Sequence, residues 1–279
     1  MPEVLQYSFM QRALLAGLIV AVICPSLGLF LVLRRLSLMA DTLSHVALAG
    51  VTIGIITKVF PPATALASSV VAAATIEALR AKGRLQGEIA LALILYTALA
   101  VAVLLLGLGQ GFTVDLFGYL FGNILTVSPA DLWLITGLAV VILAFLLAYY
   151  RELVQSTLDP EMAHVSGVPV TRVNLLLAVF TGAAVTLAMR ITGVLLVGAL
   201  LVIPVIASLQ LAKGFPGALA LAVALGLLSV IGGLIAAFYL DLAAGATIVL
   251  IAVGILMLAF LARRLRSAFA RRAPTPGSA

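Results

Sequence analysis

An all-α polytopic membrane protein with eight or nine transmembrane helices is predicted by three features of this 279-residue chain. Hydrophobic residues make up 64% of it and charged residues 9%, more apolar surface than a soluble domain can hide. The apolar residues gather in runs of about 20, the length that spans the hydrocarbon as a helix. They also lack the period-two alternation that a membrane β-barrel needs.

The first apolar run, 13–33, follows a short N-terminal segment, 1–12. It is longer than the roughly 7 to 15 residues of a signal-peptide core, so it reads as the first span. Cys24 inside it is the sole cysteine, which excludes a disulfide framework and a cysteine zinc site. Further spans are expected at 37–57, 63–79, 87–107, 131–150, 173–190, 193–211, 217–239 and 244–262. The runs on either side of Arg190 to Gly193 nearly touch, which leaves eight spans as the alternative to nine. "FTVDLFGYLFGNIL", Phe112 to Leu125, is too short to cross and reads as a re-entrant or interfacial helix. No internal repeat is visible. One membrane domain, 13–262, therefore holds almost everything, with a polar loop at 151–172 and a basic tail at 263–279 that is expected to be disordered.

Basic residues orient the spans, because short cytoplasmic loops are enriched in Lys and Arg. With nine spans, Arg34 and Arg35, then Arg80, Lys82 and Arg84, then Arg151 and Arg172, then Lys213, then Arg263 to Arg272 fall on one side. The opposite loops hold Lys58, Asp115, Asp131 and Asp241. This places the C-terminus of a multi-pass membrane protein in the cytoplasm. The net charge of +6 is then a topology signal in a chain surrounded by lipid, and no nucleic-acid partner is implied.

Against this background "SLMADTLSHVALAG" stands out. Asp41 and His45 are four residues apart, so they share one helix face. An ionisable group in a span costs about 2.5 to 3.5 kcal/mol on insertion scales and usually lines a cavity or a path. One reading is structural: Asp41 caps or pairs with Arg34 or Arg35 near the interface while His45 merely packs. The other is metal binding, since a carboxylate and an imidazole suit zinc, manganese or ferrous iron. Two ligands do not close a site. A symmetric homodimer would bring the pair twice to a two-fold axis and supply four, with the cation offsetting the repulsion of facing carboxylates.

The polar loop contains "LDPEMAHVSGVPVTR". Asp159 suits an N-cap, Pro160 the first helical position and Glu161 the positive helix end, while Gly167 can close the helix. Met162 and Val165 then lie together on an apolar face of a one- to two-turn surface helix, which is either a bare connector or a docking element. Glu77 is three residues before Arg80 and is expected to pair with it. Arg190 is expected to snorkel, Asp241 to cap the last helix and Pro204 to kink its span.

Missing motifs narrow the function. There is no GxxxxGK[ST] phosphate loop and no HExxH, and two histidines leave no readable serine–histidine–acid constellation. Intramembrane catalysis is therefore not expected, and the chain is read as not an enzyme.

"LRRLSLMADTLSHVALAGV", "GEIALALILYTALA", "DLFGYLFGNILTVSPADL", "LLVGALLVIPVIASL" and "FYLDLAAGATIVL" together resemble the permease subunit of ABC importers for zinc, manganese or iron. The similarity runs from about Phe9 to Leu261, and its first block is the most specific. Ala49 and Ala243 depart from the pattern, standing where proline is frequent. The resemblance implies a homodimeric permease of the cell (inner) membrane that moves a divalent metal by alternating access, driven by ATP hydrolysis on separate cytoplasmic ABC ATPase subunits. An extracytoplasmic metal-binding protein would deliver the ion. No permanently bound cofactor is implied. Asp41 and His45 match the family's metal-coordinating pair, and 159–168 matches the loop that docks on the ATPase. The alternative is an ion-coupled secondary carrier working without an ATPase, although repeated halves with broken helices, which such carriers tend to have, are not seen.

Overall fold

The computed structural model describes residues 7–81, 83, 87–108, 118, 120, 122, 128–194 and 196–272. Among them it forms eleven helices. These are α1 (Ser8–Leu33), α2 (Met39–Thr57), α3 (Pro61–Ala81), α4 (Gly87–Leu108), α5 (Pro129–Ala148), α6 (Tyr150–Leu158), α7 (Pro160–Val165), α8 (Val170–Thr192), α9 (Val197–Leu211), α10 (Phe215–Leu240) and α11 (Ala244–Arg272). Eight of them are long and apolar enough to cross a membrane. The ninth apolar helix, α9, has 15 residues, about 22 Å of rise against a hydrocarbon thickness of about 30 Å.

The sequence placed the spans well and several of their ends badly. α1 begins at Ser8, inside the segment expected to precede it, because Gln11 and Arg12 are good helix formers that carry the pattern backwards. α6 is an additional helix within the loop. Its sequence YRELVQSTL escapes a search for apolar runs, yet it buries Leu153 and Ser156. α11 continues to Arg272, past the expected end at 262 and through the basic cluster. Arginine favours helix, and cations suit its C-terminal end. The segment Phe112 to Leu125 lies outside the described residues apart from Gly118, Leu120 and Gly122, and so do Lys82, Arg84, Asp115 and the tail beyond 272.

The helix ends follow local rules. Ser128 and Asp131 form a reciprocal capping box at the start of α5. α1 closes through Arg35 at φ 59°, with Leu36 N–H returning to Leu31 O at 2.8 Å and Arg35 N–H to Val32 O at 3.1 Å. That is the left-handed closure usually given to glycine. Lys58 and Asp241 adopt the same conformation after α2 and α10, so Asp241 terminates one helix where it was expected to cap the next.

Two groups of helices make the bundle. α2 packs against α3 and α4, with α8 against α3, while α1, α9, α10 and α11 pack among themselves. α1 also touches α8, and α9 touches both α8 and α2, joining the groups. Close approach is achieved through small residues, as is usual between membrane helices. A side chain at Gly28 of α1 would collide with the backbone of Leu201 in α9. A large shared core from Ala16 to Ile248 results.

Candidate functional site

α2 sets the site. Thr42, Leu43, Ser44 and Ala47 are at most 0% exposed, sealed against α3, α4 and α8. On the other side of the helix Asp41 and His45 are only partly covered, and Leu38, Ile53 and Ile56 are 49%, 41% and 42% exposed. The acid and the imidazole, with Leu38, therefore form a short, partly covered stripe at the start of α2; further along the same face Leu48, Ala49 and Thr52 are 3%, 7% and 1% exposed. Nδ1 of His45 is buried without a hydrogen-bond partner among the described residues. A buried polar atom left in that state is costly unless something else meets it.

α9 approaches the same point. α8 ends at Gly193, whose φ of 82° stops the helix, and the chain restarts at Val197. The first turn of α9 brings Gly198 against Asp41. A Cβ on Gly198 would stand 2.8 Å from Asp41 Cγ and nearer still to Oδ1. Irregular backbone at membrane depth is tolerated where it is buried in protein or lines a path, and here it adjoins the one acidic side chain of α2. Sequence reading missed Gly198; it lies in the first turn of a helix expected at 193–211, and nothing in the sequence set this glycine apart from the others in apolar runs.

The structural reading of Asp41 asked it to cap or to pair with Arg34 or Arg35, and the start of α2 has no side-chain cap hydrogen bond. Arg34 turns elsewhere: Nε donates to Thr157 Oγ1 at 2.9 Å, Nη2 to Ser156 Oγ at 2.8 Å and to Leu153 O at 3.5 Å, and Nη1 to Asn174 Oδ1. Arg35 is exposed. Burial draws the Arg34 guanidinium down to about 10, opposed by the Glu77 carboxylate and reinforced by Arg80, so it remains cationic at neutral pH. Glu77 is buried and paired with Arg80 at 2.6 Å, as expected. Among the described residues no group of three or more His, Cys, Asp or Glu gathers to hold a metal.

The surface helix also takes its expected form. The Asp159 carboxylate accepts from Met162 N–H at 3.0 Å, Pro160 occupies the first turn, and Gly167 closes the helix at φ 83° with Val168 N–H returning to Ala163 O at 3.0 Å. Ala163 is buried beneath it, whereas Met162 is 61% and Val165 81% exposed. Glu161 is exposed beside them. α7 thus presents an apolar face that no described residue covers.

The model of the ABC 3 transport family matches residues 6–263. The chain belongs to that family. Its match to the manganese transport system membrane protein MntC of Halalkalibacterium halodurans is 34% identical over 258 residues, 92% of this chain and 88% of that protein. It is 31% identical over 251 residues to the high-affinity zinc uptake system membrane protein ZnuB of Haemophilus influenzae, covering 90% and 96% respectively. Among solved structures, PsaBC from Streptococcus pneumoniae in complex with Fab matches with a TM-score of 0.82 at 28% identity over 92% of each chain. The resemblance to metal-importer permeases and the all-α permease fold are thereby borne out. As an ABC 3 family permease the protein is a multi-pass transport subunit, with ATP hydrolysis on a separate subunit. Membership of the ABC 3 family disfavours a secondary carrier acting alone.

Proposed function

We propose that this permease imports manganese or zinc as a homodimer, with Asp41 and His45 of both copies holding the ion in transit. What carries the reading is the partly covered acid–imidazole pair at the start of α2, with His45 Nδ1 left without a partner among the described residues. Ionisable groups in a span usually line a path or a protein interface, and a second copy meeting the first at this stripe would double the ligand count. The ion meets the orphaned Nδ1 of His45 and offsets the two carboxylates. Both manganese and zinc accept nitrogen and oxygen donors, and both metals appear in the names of relatives. The iron option of the sequence reading has the same donor chemistry.

In this reading α7, with Asp159, Pro160 and Gly167 fixing its shape and Glu161, Met162 and Val165 on its surface, docks on a cytoplasmic ATPase. The ATPase drives alternating access, and an extracytoplasmic metal-binding protein supplies the ion. The basic residues around these loops support a cytoplasmic α7 and C-terminus, which requires the chain to return across the membrane through α9.

The test is uptake of radioactive manganese and zinc by the reconstituted complex, normalised to purified dimer. Asp41→Asn removes the attracting charge at constant size, and His45→Ala removes the nitrogen donor. Each is expected to abolish uptake while the dimer still assembles. Full specific uptake by both variants would overturn the reading.

A further inference from the structure

We propose that Arg34 is the positioning residue that links movement of α7 to the ligand-bearing α2. The inference rests on α7 being the ATPase dock, and its own basis is the hydrogen-bond fork of Arg34.

α7 is a bridge with two abutments. On its N-terminal side α6 ends at Leu158, and on its C-terminal side α8 begins at Val170. Arg34 holds both. Its Nε and Nη2 bind Thr157 Oγ1 and Ser156 Oγ in the last turn of α6, and Nη1 binds Asn174 Oδ1 in the first turns of α8. All three nitrogens of the guanidinium are engaged with different residues, a task that needs its planar set of donors and that a single ammonium cannot perform. The partners are neutral acceptors, so the group serves geometry and not charge neutralisation.

The other end of Arg34 is tied to the metal-bearing helix. Arg34 terminates α1, and α2 starts at Met39, with Asp41 in its first turn. The connecting backbone is locked: Leu36 N–H binds Leu31 O at 2.8 Å and Met39 N–H binds Leu36 O at 2.9 Å. Leu36 and Met39 are 5% and 1% exposed. A displacement of the α7 abutments therefore reaches Asp41 through a fork and a packed turn, with no slack loop between. Glu77 and Arg80 of α3 are the charged groups facing Arg34, and they are occupied with each other.

A purely structural staple would show itself differently from a coupling element. The measurement is the number of ATP molecules hydrolysed per metal ion imported by the reconstituted permease–ATPase complex, with assembly scored by pull-down. Arg34→Ala is expected to assemble yet raise that number about tenfold or more, as the loss of charge-assisted hydrogen bonds at both abutments implies. Arg34→Lys should be only partly repaired, because it cannot reach both abutments. Asn174→Ala and Ser156→Ala remove one acceptor each and guard against a folding failure of the Arg34 variants. Each should raise the ratio by itself but add nothing to Arg34→Ala. Hydrolysis and uptake that fall together, leaving the ratio unchanged, or full repair by lysine, would overturn the inference alone. A wild-type complex without ATP-dependent uptake would overturn the proposed function and this inference together.

Discussion

Gly198→Ala separates the fold from the site. The added Cβ would stand 2.8 Å from Asp41 Cγ and nearer still to Oδ1, well inside the separation of about 3.5 Å at which heavy atoms rest, so the carboxylate or the backbone must move by about 1 Å or more. The carboxylate end is the softer partner, since it can rotate about its own bonds while the α9 backbone is wedged between α1, α2, α10 and α11. The stability cost should therefore fall at the low end of the overpacking range, about 1 kcal/mol. The functional cost is larger. Disturbing the surroundings of a metal ligand typically costs about 10- to 100-fold in affinity or activity, and uptake of manganese and zinc per assembled complex is expected to fall by that factor. Gly232→Ala is the control, because its Cβ would meet Ile251 at an ordinary 3.5 Å and should leave uptake unchanged. Thermal unfolding in detergent reports the first quantity and radioactive uptake the second. Uptake by Gly198→Ala within about twofold of wild type would refute the placement of Asp41 at a working site.

Three other outcomes are expected. Gly167→Ala places a side chain at φ 83°, costing about 1 to 2 kcal/mol locally, and Val165→Asp puts charge on the face of α7; both should weaken ATPase capture in a pull-down, and unchanged capture with unchanged uptake would leave α7 a connector. With Cys24 replaced by alanine, Ser166→Cys should be shielded from an impermeant thiol reagent in intact cells and Ala130→Cys labelled, and the reverse order would invert the topology. Acidification should weaken metal uptake as protons compete for the imidazole, whose free reference value is about 6.5. Arg34 is not the source of such a loss. Burial lowers its guanidinium to about 10, so it is charged throughout that range and loses its proton only as pH rises through that value. A profile flat from pH 7 to pH 5 would exclude His45 as a ligand.

The spans were legible because each is a long apolar run, and the cap of α7 was legible because Asp159, Pro160 and Gly167 act through local geometry. Asp41 and His45 announced themselves as charges in an apolar helix. What stayed hidden was set by tertiary contact. Arg34 looked like one of many cytoplasmic arginines, and only the arrival of Thr157 and Asn174 from more than a hundred positions away gives it a role. Gly198 matters through Asp41, which lies on another helix. α6 was missed because its burial is confined to one narrow face of a polar sequence.

The half-covered face of α2 also bears on genetics. If two copies complete one ion site between them, a damaged copy harms its neighbour as well as itself. Cells making wild-type and Asp41→Asn chains in equal amounts would assemble about one quarter fully wild-type pairs by random pairing. Import should then drop to about that fraction, far below the half expected of independent monomers, so a lesion in this stripe acts as a dominant trait.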